Sequence, residues 1–228
     1  MIFKGRYLKD VVYGSIDGII TTFAIVSGVI GASLGYGVIV ILGLANLLAD
    51  GFSMAIGNYL STKSEIERIK EKRKKYHDLV RNNTDEQKVE LAKIFEKKGF
   101  SQETVKHLVE EIALDKEGWE QLMVSEKYGD YENTNPKKTA SATFLAFVVA
   151  GFIPLVAFIF AFGFEALKPH APLISVIFTG LALFMVGTLK AHITKKHPLK
   201  SGLETLFIGG IAALAAFLVG FLLKGLVV

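Results

Sequence analysis

Asp17 and Asp50 stand inside otherwise apolar stretches, and on a helix Asp50, Met54 and Asn58 fall on one face at i, i+4, i+8 spacing. Carboxylates and an amide offer oxygen; the methionine adds a thioether. That donor set suits an intermediate divalent ion such as Fe²⁺ better than Mg²⁺ or Ca²⁺, which gain nothing from sulfur. A carboxylate also suits proton exchange, because protonation removes the charge that holds a metal. An ionisable side chain within a membrane helix costs about 3 kcal/mol on insertion scales, so it persists where it faces a bundle interior or a water-filled path. The plainer readings are a helix-to-helix hydrogen bond or a proton relay for a lone aspartate, and ordinary core for a lone methionine.

The elements that must position these residues follow from composition. The 228 residues are 51% hydrophobic, and the mean hydropathy is +0.41. Charge is segregated: 17 of the 26 Lys and Arg and 17 of the 22 Asp and Glu lie between Ser61 and Lys138. A charge-dense middle between apolar blocks predicts an all-α membrane protein with one aqueous insert. The insert is near neutral and has no aromatic-interleaved basic stripe, which excludes a nucleic-acid platform. Cysteine is absent, so disulfides, thiolate metal sites and cysteine nucleophiles are excluded. The first apolar run is too long for a cleavable signal peptide, carries Asp17 and lacks a clear small-residue cleavage site.

A hydrocarbon layer about 30 Å thick needs roughly 20 apolar helical residues. Five windows meet or approach that length: residues 11–34, 38–60, 139–162, 173–189 and 203–223. The fourth ends near Lys190. Gly35-Tyr36-Gly37 is an uncharged turn that makes the first two an antiparallel hairpin, and Pro154 predicts a kink in the third. The expected domains are 1–62 (helices 1 and 2), 63–138 (a cytoplasmic helical metal-binding domain) and 139–228 (helices 3 to 5). Lys4, Arg6 and Lys9, the insert, and Lys190, Lys195, Lys196 and Lys200 all fall on one side, against Lys168 and Lys224 on the other. That bias predicts a cytoplasmic N-terminus and an outside C-terminus.

The insert reads as helices. Residues 61–80 continue span two, and Asn82-Asn83 interrupts them. Thr84-Asp85-Glu86-Gln87 reads as a capping box opening a helix closed by Gly99, and Ser101 caps a third helix carrying Val105, Leu108, Val109 and Ile112. A short fourth helix spans 119–128 and ends at Gly129, and Asn135-Pro136 precedes span three. Glu86 and Glu90, Glu67 and Glu71, and Met123 and Glu126 sit three or four apart and can present paired donors. His77 and His107 are further possible ligands. With acids and bases equal in number, solvated ion pairs are the ordinary outcome of such spacing. Gly14-x-x-x-Gly18 and Gly31-x-x-x-Gly35 put small-residue patches on span one, and the first, one position from Asp17, suggests a dimer seam.

The segment from Asp10 to Thr22, Asp10-Val-Val-Tyr-Gly-Ser-Ile-Asp17-Gly-Ile-Ile-Thr-Thr, resembles the opening of the vacuolar iron transporter family. Ala49-Asp-Gly-Phe-Ser-Met54-Ala-Ile-Gly-Asn58-Tyr-Leu-Ser resembles its second-helix signature, and the charged insert from Lys63 and the Asn135-Pro136 entry into a Pro154-bearing helix also agree. The resemblance implies a homodimer of five-helix subunits that moves Fe²⁺, often Mn²⁺ too, out of the cytoplasm in exchange for protons. The path would lie between the two copies of the first helix. Asp17 and Met54 would be ligands there; Asp50 and Asn58, which share the Met54 face by spacing, and Asp10 are further candidates along that path. Cytoplasmic helices would gather ions through Asp78, Glu86, Glu90, Met123 and Glu126; Glu67 and Glu71 are added by their spacing alone. The family commonly has Glu where Asn58 stands and a small residue where Asp50 stands, and Lys75 replaces an expected carboxylate.

The function expected is therefore a divalent-metal transporter, for Fe²⁺ or for Mn²⁺, Co²⁺ or Zn²⁺, with no prosthetic cofactor; its partners are metal ions, protons, lipid and a second copy. A membrane-tethered ferritin-like diiron oxidase would need Glu-x-x-His pairs on bundle helices, and none occurs. A metal sensor without flux is the third class. Brevity, the lack of sorting extensions and the absence of cysteine favour a prokaryotic plasma membrane.

Overall fold

A computed structural model describes residues 7–82, 84–128 and 134–226. The elements are α1 (Leu8–Gly31), α2 (Tyr36–Asn82), α3 (Thr84–Lys97), α4 (Gln102–Leu114), α5 (Lys116–Tyr128), α6 (Pro136–Gly151), α7 (Val156–Gly163), α8 (Ala171–Thr194) and α9 (Pro198–Leu223). Among the described residues the regular structure is helical throughout. Five helical segments are long and apolar enough to cross a membrane: Leu8–Gly31, Tyr36–Tyr76, Pro136–Gly163, Glu165–Thr194 and Pro198–Leu226. The chain divides into two compact units, 1–60 with 136–228, and 61–135.

In the first unit α1 is the central helix, packed against α6, α8 and α9. Its glycines make this possible. A Cβ at Gly14 would lie 2.5 Å from the Thr143 carbonyl oxygen, and one at Gly18 would lie 2.4 Å from that of Phe147. The face expected to form a dimer seam is thus filled by α6 of the same chain. Gly31 likewise meets the Phe217 carbonyl on α9, while Gly35 has open space around it. The backbones approach so closely because, in lipid, contact area between helices must come from packing and not from a hydrophobic drive.

The turn between the first two spans comes earlier than expected. Ser33 has a positive φ of 59°, and Tyr36 and Gly37 already belong to α2. At Pro154 the third span breaks as anticipated, into α6, a 3₁₀ turn at Ile153–Leu155, and α7. Ser175 on α8 donates a 2.7 Å bond to the Pro154 carbonyl, so a neighbouring helix satisfies backbone that the break frees. The fourth span runs on to Thr194, past the end expected at Lys190. A lysine does not stop a helix, and Lys190 reaches Glu204 on α9 at 3.8 Å.

In the second unit α3, α4 and α5 close an apolar cluster with the last turns of α2: Ile69, Tyr76, Leu91, Val105, Val109, Trp119, Met123 and Val124. Ser101 caps α4 as expected, accepting from the Thr104 amide at 3.3 Å. Gly99 has φ +88°, the left-handed conformation that lets the chain turn between α3 and α4. The fourth insert helix begins at Lys116, three residues before the expected start. Lys4, Arg6, Asn83 and Gly129 lie outside the described residues, as does the side chain of His77.

Candidate metal path

On α2 the residues Asn46, Asp50, Met54 and Asn58 follow one another at four-residue intervals, and each is half-buried. The facing helix is α1. Asn58 donates from Nδ2 to Asp10 Oδ1 at 2.9 Å and to Thr143 Oγ1 on α6 at 2.6 Å. Thr143 in turn donates to the Thr139 carbonyl at 3.1 Å. One amide therefore ties three membrane helices together at the N-terminal end of α1.

Further along, Asp17 on α1 and Asp50 on α2 lie within electrostatic reach of each other. Deeper still, Asn46 Nδ2 approaches Thr21 Oγ1 at 3.5 Å, and Thr21 donates to the Asp17 carbonyl at 2.9 Å. The pairs 10/58, 17/50 and 21/46 run in opposite order on the two helices, which establishes the antiparallel hairpin. They form a polar seam across an apolar unit. Met54 sits in this stretch of α2 and packs against the cluster containing Val26, Leu47 and Phe147.

No basic side chain among the described residues pairs with Asp17 or Asp50. Two like charges without a fixed counter-ion attract a mobile cation or a proton. Among the described residues, no three His, Cys, Asp or Glu side chains converge as a metal cage. The two carboxylates are instead bordered along α1 and α2 by the amides and hydroxyls of Asn46, Thr21 and Asn58.

The insert carboxylates behave differently. Glu90 is bonded to Lys127, Glu126 to Lys98 at 2.6 Å, and Glu67 to Lys63 at 3.7 Å. Asp78, Glu86 and Glu71 are exposed. Met123, expected as a ligand, is 0% exposed within the apolar cluster. The structure thus does not gather Met123 and the acids into one open site. Partial desolvation works against the Lys127 charge, but its bonds to Glu90 and Tyr76 outweigh this and hold the ammonium above its ordinary range. The sequence reading passed over Asn46, Thr143 and the buried Glu120, which bonds Arg73 at 2.9 Å. Asn46 was open to discovery, since it extends the Asp50 face by one more turn.

Residues 8–221 match the family model described as the VIT family. The chain belongs to the VIT family. It is 35% identical to the vacuolar iron transporter of Toxoplasma gondii, over 96% of this chain and 74% of that protein. Vacuolar iron transporter 1 of Arabidopsis thaliana is 31% identical over 93% of this chain and 84% of its own length. The Plasmodium berghei vacuolar iron transporter is 32% identical over 96% and 82%. Family membership and the five spanning helices together make this an integral, multi-pass membrane protein of a metal-transporting family.

Proposed function

We propose that the protein carries Fe²⁺, with Mn²⁺ as a second cargo, out of the cytoplasm in exchange for protons, along a path at the interface of a homodimer, lined in each copy by the polar residues of α1 and α2. The observation that carries this reading is the Asp17–Asp50 pair: two carboxylates without a basic partner, one on each hairpin helix, in the membrane-spanning unit. Met54 supplies the soft donor that favours Fe²⁺ over Mg²⁺. Asp10 and Asn58 form the entrance, and their amide-to-carboxylate bond orients Asp10 without cancelling its charge. When protons enter from the receiving side, each carboxylate exchanges metal for proton, which releases the ion and resets the site.

A second copy is supported by the open side of α1. Tyr13 is 62% exposed, and Asp17 follows it by one turn on that side. Facing lipid, a carboxylate there would carry the full insertion penalty; across a two-fold axis it would line a path. The lysine and arginine bias of the loops supports a cytoplasmic N-terminus. Whether the receiving compartment is a vacuole, as in the names of the relatives, or the cell exterior, the direction is the same. On this reading the protein is a transporter and not an enzyme.

The test is flux. Purified protein in liposomes should take up Fe²⁺ (kept anaerobic) and Mn²⁺, faster when the lumen is acidic. Absence of uptake for every ion in a panel of Fe²⁺, Mn²⁺, Co²⁺ and Zn²⁺ would refute the proposal.

A further inference from the structure

Unanswered bases gather at the turn between α8 and α9, much as unanswered acids do on α1. Only Lys195, Lys196 and His197 separate the two helices, and Lys195 takes the left-handed conformation at φ 53°. Residues 192–200 are exposed without exception. Between Glu165 and Glu204 the chain has no acid. Lys190 meets Glu204 at 3.8 Å, but no ion pair among the described residues involves Lys195, Lys196 or Lys200. At the other ends of the same two helices the bases are occupied: Lys168 bonds Glu165 at 2.9 Å, and Lys224 lies 4.4 Å from the centroid of the Phe221 ring. The start of α9 adds a local conflict. It has no side-chain cap and no acid in its first turn, and Lys200 stands in that turn. A helix N-terminus carries partial positive charge, which favours an acid and opposes a lysine. An anion at the turn would offset both.

Position decides which anion. The segments Glu165–Thr194 and Pro198–Leu226 are both long and apolar enough to span a membrane, and so short a link cannot carry its lysines away from the bilayer boundary. Ile193 and Leu199, 39% and 52% exposed, flank the link and suit contact with acyl chains. Lysine stems lie along such apolar surface while their ammonium groups reach the headgroup layer. We propose that the α8–α9 turn is a docking surface for anionic phospholipid, with Lys195, Lys196 and Lys200 holding the headgroup phosphate. Such a surface requires the membrane-spanning helices and is independent of what the protein transports.

Spin-labelled lipids test this. Full-length protein in phosphatidylcholine bilayers receives a trace of spin-labelled phosphatidylglycerol or spin-labelled phosphatidylcholine. Electron paramagnetic resonance then reads the fraction of each probe immobilised at the protein. Wild type should retain phosphatidylglycerol over phosphatidylcholine by about fivefold, and by less in high salt. Lys195→Gln with Lys196→Gln, and separately Lys200→Gln, should each lower that preference by about twofold, and all three together should remove it. Lys195→Arg, Lys196→Arg and Lys200→Arg combined should keep it, as should Lys168→Gln with Lys224→Gln. Equal retention of the two probes by wild type would overturn the proposal, as would a preference that survives the triple glutamine variant. A loss as large in Lys168→Gln with Lys224→Gln would do the same, because overall charge and not this turn would then set the preference. Displacement of phosphatidylglycerol by inorganic phosphate at matched ionic strength would make the turn a site for the free anion and refute lipid docking. If neither Lys195→Gln with Lys196→Gln nor Lys200→Gln yields monodisperse protein on size-exclusion chromatography, these lysines serve the fold and the proposal falls.

Discussion

The acids on α1 of the membrane unit and the paired acids of the 61–135 unit are treated in opposite ways. In the 61–135 unit an acid is met by a base: Glu90 by Lys127, Glu120 by Arg73, Glu126 by Lys98. On α1 of the membrane unit Asp10 is met by an amide and Asp17 by another acid, whereas Glu165 and Glu204 of that unit pair with Lys168 and Lys190. The difference is the reverse of what solvent alone would favour, because an unanswered charge is cheap in water and expensive in a membrane helix. A charge kept where it is costly, and left without a fixed counter-ion, is poised for a mobile one. A charge neutralised where water would have served holds helices together.

Substitutions can break that contrast. The largest effect expected is structural: Gly18→Leu places a side chain against the Phe147 backbone, where even a Cβ would come within 2.4 Å. Overpacking of this kind costs about 1–3 kcal/mol where side chains can adjust, and more where backbone blocks them. The variant should fail to give monodisperse protein on size-exclusion chromatography. Next comes Glu120→Leu, which removes the carboxylate that Arg73 Nε bonds. Losing one member of a fully buried pair costs about 3–5 kcal/mol. Arg73 is about a third exposed and can turn to water, so about 1–2 kcal/mol is expected, read as a lower melting midpoint of Trp119 emission with flux retained. Asp50→Asn should do the converse: a roughly tenfold loss of Fe²⁺ flux, about 1.4 kcal/mol, with the melting midpoint unchanged. The smallest is Lys63→Ala, which removes an exposed pair to Glu67 and should change the midpoint by no more than a few tenths of a kcal/mol. Equal flux losses from Glu120→Leu and Asp50→Asn would erase the distinction between the units.

Much of this architecture is legible in the chain itself. Lipid demands unbroken apolar length, so the five spans stand out, and Pro154 marks its own break. Ser101 and Gly99 likewise act through local chemistry, and both take the roles their residue types predict. What escaped is tertiary. Lys127 lies 37 residues from Glu90, and Lys98 lies 28 from Glu126; spacing along one helix reveals neither pair. Met123 shows the same limit, because a methionine beside Leu122 and Val124 has the pattern of a core residue and also that of a ligand. The Gly14 and Gly18 patch announced a close helix neighbour correctly but could not say which, and the neighbour is α6 of the same chain. Thr143 is neutral and 85 residues from Asn58, so only the folded arrangement reveals its part.

The most direct test of the account is proteoliposome uptake of Fe²⁺, under an inward-acid gradient, by wild type and Asp17→Asn. The substitution keeps the size and polarity of the side chain and removes only its charge. The account predicts that uptake falls to the level of protein-free liposomes while the variant stays folded and in the same oligomeric state. Wild-type uptake by folded Asp17→Asn would contradict it, because the unanswered carboxylate in the first helix would then have no part in moving the ion.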